Sequence, residues 1–147
     1  MNASTRRALI ASLLLPVVLG GLSTAHAQAS SSGKPNKLVL QVSDGDKSKW
    51  SLALGNVYNV QNDLGAETVE AEIVVYGAGI DMLKKGSPVA ARVASALKNG
   101  VRIVACENTM TAQHLSKTDM LPGIGYVPAG VVELMKKQQQ GYAYIRP

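Results

Sequence analysis

The chain of 147 residues is poor in most of the residues from which reaction centres are built. It has one cysteine, two histidines, one tryptophan and no phenylalanine. A single cysteine, Cys106, excludes an intrachain disulfide, and with one histidine beyond the leader, His114, it leaves no zinc set. No serine stands in a Gly-x-Ser-x-Gly elbow. Gly77-Ala78-Gly79 lacks the third glycine of the dinucleotide fingerprint, and the pattern does not run it straight into a helix. Asp44-Gly45-Asp46-Lys47-Ser48 begins like a calcium loop but places Lys49 at the sixth position and Gly55 at the twelfth, so these residues are expected to cap a helix. Neither metal nor cofactor is expected. The balance of 15 basic against 10 acidic residues gives a net charge of +5, but the signs are mixed along the chain. Without a basic stripe interleaved with aromatics, nucleic acid is not an expected partner. Lys136-Lys137, near a helix end, is expected to complement the helix dipole.

Long hydrophobic runs are scarce too. The longest, Ala8 to Leu22, follows Arg6-Arg7 and is broken by Pro16, Gly20 and Gly21. It is too interrupted for a membrane span of about 20 residues. With Ala25-His26-Ala27 behind it, it reads as a cleaved signal peptide over residues 1–27, with Gln28 the first mature residue. No cysteine stands at the cleavage point to hold a lipid anchor. Export to the periplasm or the outside is therefore expected. The general secretory route is favoured, and the twin-arginine route is the alternative suggested by Thr5-Arg6-Arg7-Ala8-Leu9-Ile10. Removing Arg6 and Arg7 lowers the net charge to +3. Residues 28–36, rich in serine with glycine and proline, read as a flexible leader, and the domain is expected over 37–147.

What is present is an alternation of two periods. Leu38–Val42, Ala71–Tyr76, Val101–Ala105, Tyr126-Val127 and Tyr142–Ile145 are short apolar or alternating runs bounded by turn residues. Between them, Trp50, Ala53, Leu54, Val57, Val60 and Leu64 recur at helical spacing, with Asp46 or Ser48 to start the helix and Gly65 to stop it. Pro88 opens a second helix through Val93 and Leu97. Glu107–Ser116 forms a third, with Met110 and Leu115 inward, and Val131–Gln140 a fourth. Five strands alternating with four helices predict a three-layer α/β fold of flavodoxin-like layering. Its sheet is open, five-stranded and mainly parallel, with helices on both faces.

In such sheets, ligands collect outside the carboxyl ends of the strands. Four turns fall there, holding Ser43 and Asp44, Gly77, Cys106 with Asn108 and Thr109, and Pro128 with Gly130. Cys106 is thus a candidate working thiol at a helix amino end, where amides favour the thiolate while the neighbouring Glu107 opposes it. The alternative is a buried cysteine finishing a strand. His114 lies eight residues on, about 12 Å along a regular helix, too far to activate Cys106 within one chain. It is expected at the surface or at an interface between subunits.

Several blocks together resemble the DsrE/DsrF-like proteins, within them an exported branch. They are Ser43-Asp44-Gly45-Asp46 after the first strand, Val104-Ala105-Cys106-Glu107-Asn108-Thr109-Met110, Leu121-Pro122-Gly123, Val127 to Leu134, and the tail Gln139 to Pro147. The resemblance covers Lys37 to Pro147. It implies a five-stranded α/β fold, homo-oligomeric assembly and, as in the sulfur-relay members, a cysteine that carries persulfide sulfur, a role open here to Cys106 alone. Asn108 or Thr109 would hydrogen-bond the sulfur, and a partner protein with a thiol or persulfide would exchange it. Two other functions compete: a non-catalytic oligomeric module binding a small ligand or a partner in the same crevice, and a redox partner whose mixed disulfide another protein resolves.

Overall fold

The structure is a computed structural model and describes residues 34–147; the expected signal peptide and most of the leader lie outside the described residues. Strand β1 (Asn36–Val42) begins two residues before Leu38 because Asn36 pairs with Val69. Lys34 adds to this start, donating from Nζ to the carbonyls of Ala66 (3.0 Å) and Val69 (3.1 Å). Helix α1 (Lys47–Leu64) buries Trp50, Ala53, Leu54, Val57 and Gln61, one stripe at steps of three and four residues. Asp46 caps it, accepting from the Ser48 amide at 2.8 Å, and Gly65 ends it at φ 88°, a left-handed conformation that glycine adopts without a Cβ clash.

Strand β2 (Val69–Val75) leads into a 3-10 helix, Gly77–Leu83, where only a turn was expected. A Cβ on Gly79 would stand 2.6 Å from the Val42 carbonyl oxygen. Gly79 therefore serves close packing against β1. Helix α2 (Ala90–Lys98), β3 (Arg102–Cys106) and α3 (Glu107–Ala112) follow. Helix α3 stops four residues short of the expected Ser116. His114 turns left-handed at φ 56°, and the Leu115 amide reaches back to the Met110 carbonyl at 2.8 Å, closing the helix. The short β4 (Gly125–Val127), α4 (Gly130–Gln139) and β5 (Ala143–Ile145) complete the domain.

The sheet is parallel at every pairing, in the order β4-β3-β2-β1-β5. The first three crossovers step in one direction, so right-handedness places α1, α2 and α3 on one face. The last crossover returns past three strands to reach the far side of β1, which sends α4 to the other face. The core divides accordingly. Leu38, Leu40, Val42, Ile73, Val75, Ile103 and Ala105 point to the three-helix face, and Val39, Val74, Val104 and Val127 to the face under α4. Each fully buried leucine or isoleucine on the first face contributes about 1.5–3 kcal/mol over an exposed one.

The face under α4 also holds charge. Gly130, Leu134 and Lys137 share one buried stripe of α4, so Lys137 does not simply complement the helix dipole as expected for the pair; the helical phase carries it inward. Its Nζ lies 2.8 Å from Glu72 Oε2 in the middle of β2, with Arg102 Nε at 3.5 Å from the same oxygen. Lys137 also contacts the Tyr142 hydroxyl at 3.4 Å, and that hydroxyl donates to Glu70. Burial is the largest influence on Glu72 and raises its carboxyl above the ordinary value, against the pull of Lys137 and Arg102.

Candidate functional site

At the carboxyl edge, β3 and β4 lie side by side with Cys106 paired to Val127 in register. The chain leaving β3 turns into α3 on one face, and the chain leaving β4 turns into α4 on the other. That divergence between neighbouring strands is a topological switch point, where open α/β sheets form their crevice. Cys106 is the N-cap of α3, and Gly130 begins α4. The two helix starts are tied together by the Asn108 amide, which donates to the Pro128 carbonyl at 3.1 Å.

Cys106 is only 5% exposed. Its Sγ sits 3.9 Å from the Pro128 carbonyl oxygen, a weak thiol donation. Burial pushes the thiol up, but the Gly130 amide, the Thr109 hydroxyl and amide and the Asn108 amide together outweigh it and hold Cys106 below the ordinary thiol value. Thr109 is positioned for this because its Oγ1 accepts from the Gly77 amide at 3.0 Å, which joins the turn after β2 to the start of α3. Glu107, the expected opponent of the thiolate, is engaged by Lys117 at 3.3 Å.

Of the other expected crevice residues, Asp44 serves the rim of the site. Its carboxylate pairs with Lys49 at 3.2 Å and Arg146 at 3.5 Å, fastening the carboxyl-terminal tail, and its carbonyl accepts from the Trp50 indole at 2.7 Å. Ser43 accepts from the Gln41 amide at 3.0 Å, while Gln41 Oε1 accepts from the Tyr144 hydroxyl at 2.6 Å. Three residues belong here that the motifs alone do not reveal: Tyr76, Tyr144 and Arg146. Burial foremost, then the neighbouring Tyr144, raises the Tyr76 phenol, which also lies close enough to feel Arg146, Ser43 and Cys106. A Cβ on Gly130 would stand 3.0 Å from the Tyr76 ring, so that glycine is what lets the ring pack against the start of α4. Strand parity could have found Tyr76. It continues the side of β2 that carries Glu72 and Val74, the side Cys106 shares with Val104 on β3. His114 makes no hydrogen bond from its side chain to the described residues, and no cluster of three or more metal-ligating residues occurs among them. No helix of the described residues is long and apolar enough to cross a membrane.

An all-parallel five-stranded sheet with a thiol at its switch point defines a class, and the sequence matches a known one. The model of the DsrE/DsrF-like family matches residues 36–147, and the chain belongs to that family. Among solved structures, it is similar to a protein of unknown function, MTH1491, from Methanobacterium thermoautotrophicum. The two share 35% identity and a TM-score of 0.73, over 76% of this chain and 99% of the other. Two more distant structures share the fold. One is BT1422, a conserved protein of unknown function from Bacteroides thetaiotaomicron, at 16% identity and TM-score 0.63, over 76% of this chain and 95% of the other. The other is the ychN protein from E. coli, at 12% and 0.62, over 76% and 99%. No curated protein matches the chain.

Proposed function

We propose that this chain is an exported sulfur carrier whose single cysteine, Cys106, holds sulfur as a persulfide. One observation carries the reading: amides from the starts of both α3 and α4, with the Thr109 hydroxyl, favour the thiolate despite its burial. In the reaction, the Cys106 thiolate attacks the outer sulfur of a partner persulfide. The new S–S bond forms at Cys106, the donor's S–S bond breaks, and the donor leaves as a thiolate. The acceptor's thiolate then attacks the outer sulfur and Cys106 departs as thiolate, so no electrons are gained or lost overall. The amides that favour the thiolate also favour its departure, and the exchange needs no cofactor.

Loading with a persulfide donor should add one sulfur, about 32 Da, to the peptide containing Cys106, and Cys106→Ser should remove the adduct without changing fold. A thiol inert to both persulfide and iodoacetamide until the chain unfolds would overturn the reading. The 5% exposure of Cys106 favours a second reading in that event, a non-catalytic module that binds a small ligand or a partner at the same crevice.

Self-association belongs to the proposal. Val131, Val132 and Met135 are exposed on α4 beside the site, and Tyr144 is exposed on the edge strand β5. Light scattering at micromolar concentration should give a dimer or larger. A mass that stays monomeric as concentration rises would refute it.

A further inference from the structure

Away from the thiol, α1 and α2 enclose a cavity of about 110 Å³ whose floor is apolar, built from Leu54, Val57 and Val101. Its two ends are polar and differ in kind. At one end stands Arg92, which forms no ion pair with the described residues. Its Nη2 lies against Gly55 of α1, 3.7 Å from where a Cβ would be. At the other end stands Gln61, only 8% exposed. Its Nε2 donates to the Asn99 carbonyl at 3.0 Å, while its Oε1 accepts from none of the described residues. Gly55 facing Arg92 and Gln61 facing Asn99 show the two helices running side by side in one direction. Six residues of α1 therefore separate the ends by about 9 Å.

We propose that this groove binds a small amphiphile carrying a carboxylate at one end and an N–H or O–H donor at the other. The carboxylate pairs with the Arg92 guanidinium in a charge-assisted hydrogen bond, the aliphatic middle covers Leu54, Val57 and Val101, and the donor meets Gln61 Oε1. A solvated arginine on a helix exterior would account for the charge. It would not account for Gln61, a residue only 8% exposed whose Oε1 stays solvent-reachable and without a partner among the described residues at the far end of the same cavity. The site lies between the helices and is separate from the carboxyl edge, so it stands or falls independently of the persulfide reading.

The test is an NMR titration of the full chain with ε-aminocaproate, with hexylamine as the probe that lacks the carboxylate. ε-Aminocaproate should give saturable amide shifts at Tyr58, Gln61, Ser95 and Asn99, in the millimolar range suited to a ligand of its size. Hexylamine should give none, and Arg92→Gln, a substitution at an exposed position, should weaken ε-aminocaproate about tenfold or more. Absence of saturation, equal binding of hexylamine, or unchanged affinity in Arg92→Gln would each overturn the assignment.

Discussion

On one side of the sheet, three helices close over Leu38, Leu40, Val42, Ile73 and Ile103 with no charge among them; on the other, the ten residues of α4 cover Val39, Val74 and Val104, and also Glu72. Both buried charges of the described residues, Glu72 and Lys137, lie on the α4 side, and so do Cys106 and Tyr76. The difference follows from topology. Three crossovers in one direction stack three helices on one face and leave a single return helix for the other. One helix cannot supply an apolar partner for five strands, so long polar side chains (Lys137, Arg102, Tyr142) fill what remains. The first face supplies most of the apolar burial, and the second holds the groups whose chemistry depends on neighbours.

The ion pair gives that contrast its hardest test. Lys137→Met leaves Glu72 buried without its closest cation and should cost about 3–5 kcal/mol at neutral pH, read from urea unfolding. Adding Glu72→Leu should return stability to near the original, because an apolar pair of similar volume needs no desolvated charge. The pH dependence has a definite sign. A carboxyl whose folded value is raised costs stability when ionised. The cost is absent below the ordinary value, about 4.3, and fully present above the raised one. The Lys137→Met deficit should therefore shrink as pH falls through that window. A deficit that is flat with pH, or a double variant as weak as the single one, would mean that the deficit does not come from a buried, unpaired Glu72 carboxylate.

A smaller effect compares one substitution on both sides. Gly130→Ala puts a Cβ 3.0 Å from the Tyr76 ring at the start of α4 and should cost about 1–3 kcal/mol as the ring shifts. The same displacement moves the Gly130 amide from the sulfur, so the Cys106 thiol should rise toward its ordinary value and alkylate more slowly at neutral pH. Gly55→Ala in α1 meets Arg92 Nη2 at 3.7 Å, an ordinary contact, and should stabilise by up to about 1 kcal/mol through helix propensity. Equal effects at the two positions would show that neither glycine answers to its surroundings.

The strands were legible because their apolar runs are short and bounded by turn residues, and α1 because Trp50, Ala53, Leu54 and Val57 keep helical spacing over many turns. The family likeness over 37–147, one residue short of the matched span of 36–147, was legible in the blocks around Cys106 and in the tail. Strand order was not, since nothing local tells β5 to return beside β1. The Glu72–Lys137 pair escaped for the same reason: each residue looks ordinary alone, a charge in a strand and a charge in a last turn, and only the packing of α4 on β2 joins them. A glutamate in the middle of an apolar central strand, Glu72 two residues beyond Glu70, was nevertheless a signal that a buried cation had to be found. Tyr76 was within reach of strand parity, whereas Arg146 needed the tail's position against Asp44.

The end of α3 was misread because the residue that closes it is a histidine. Left-handed closure is ordinarily a glycine's position, and His114 takes it at φ 56° on the well-covered side of the molecule. There the Leu115 amide bonds the Met110 carbonyl, and Leu115 packs on the core. A Cβ in that conformation costs about 1 kcal/mol, and a glycine there gives back part of it by widening the unfolded ensemble. His114→Gly should raise stability by about 0.5–1 kcal/mol in urea unfolding, and His114→Ala, which keeps the Cβ, should not. The alanine control separates relief of the backbone from loss of the imidazole. Should glycine destabilise the chain while alanine destabilises it equally, the imidazole itself is contributing. Because His114 is exposed and its side chain has no hydrogen bond to the described residues, contact with a second subunit is then the source to test. Repeating the pair at low protein concentration, where such a contact dissociates, should then recover the gain from glycine.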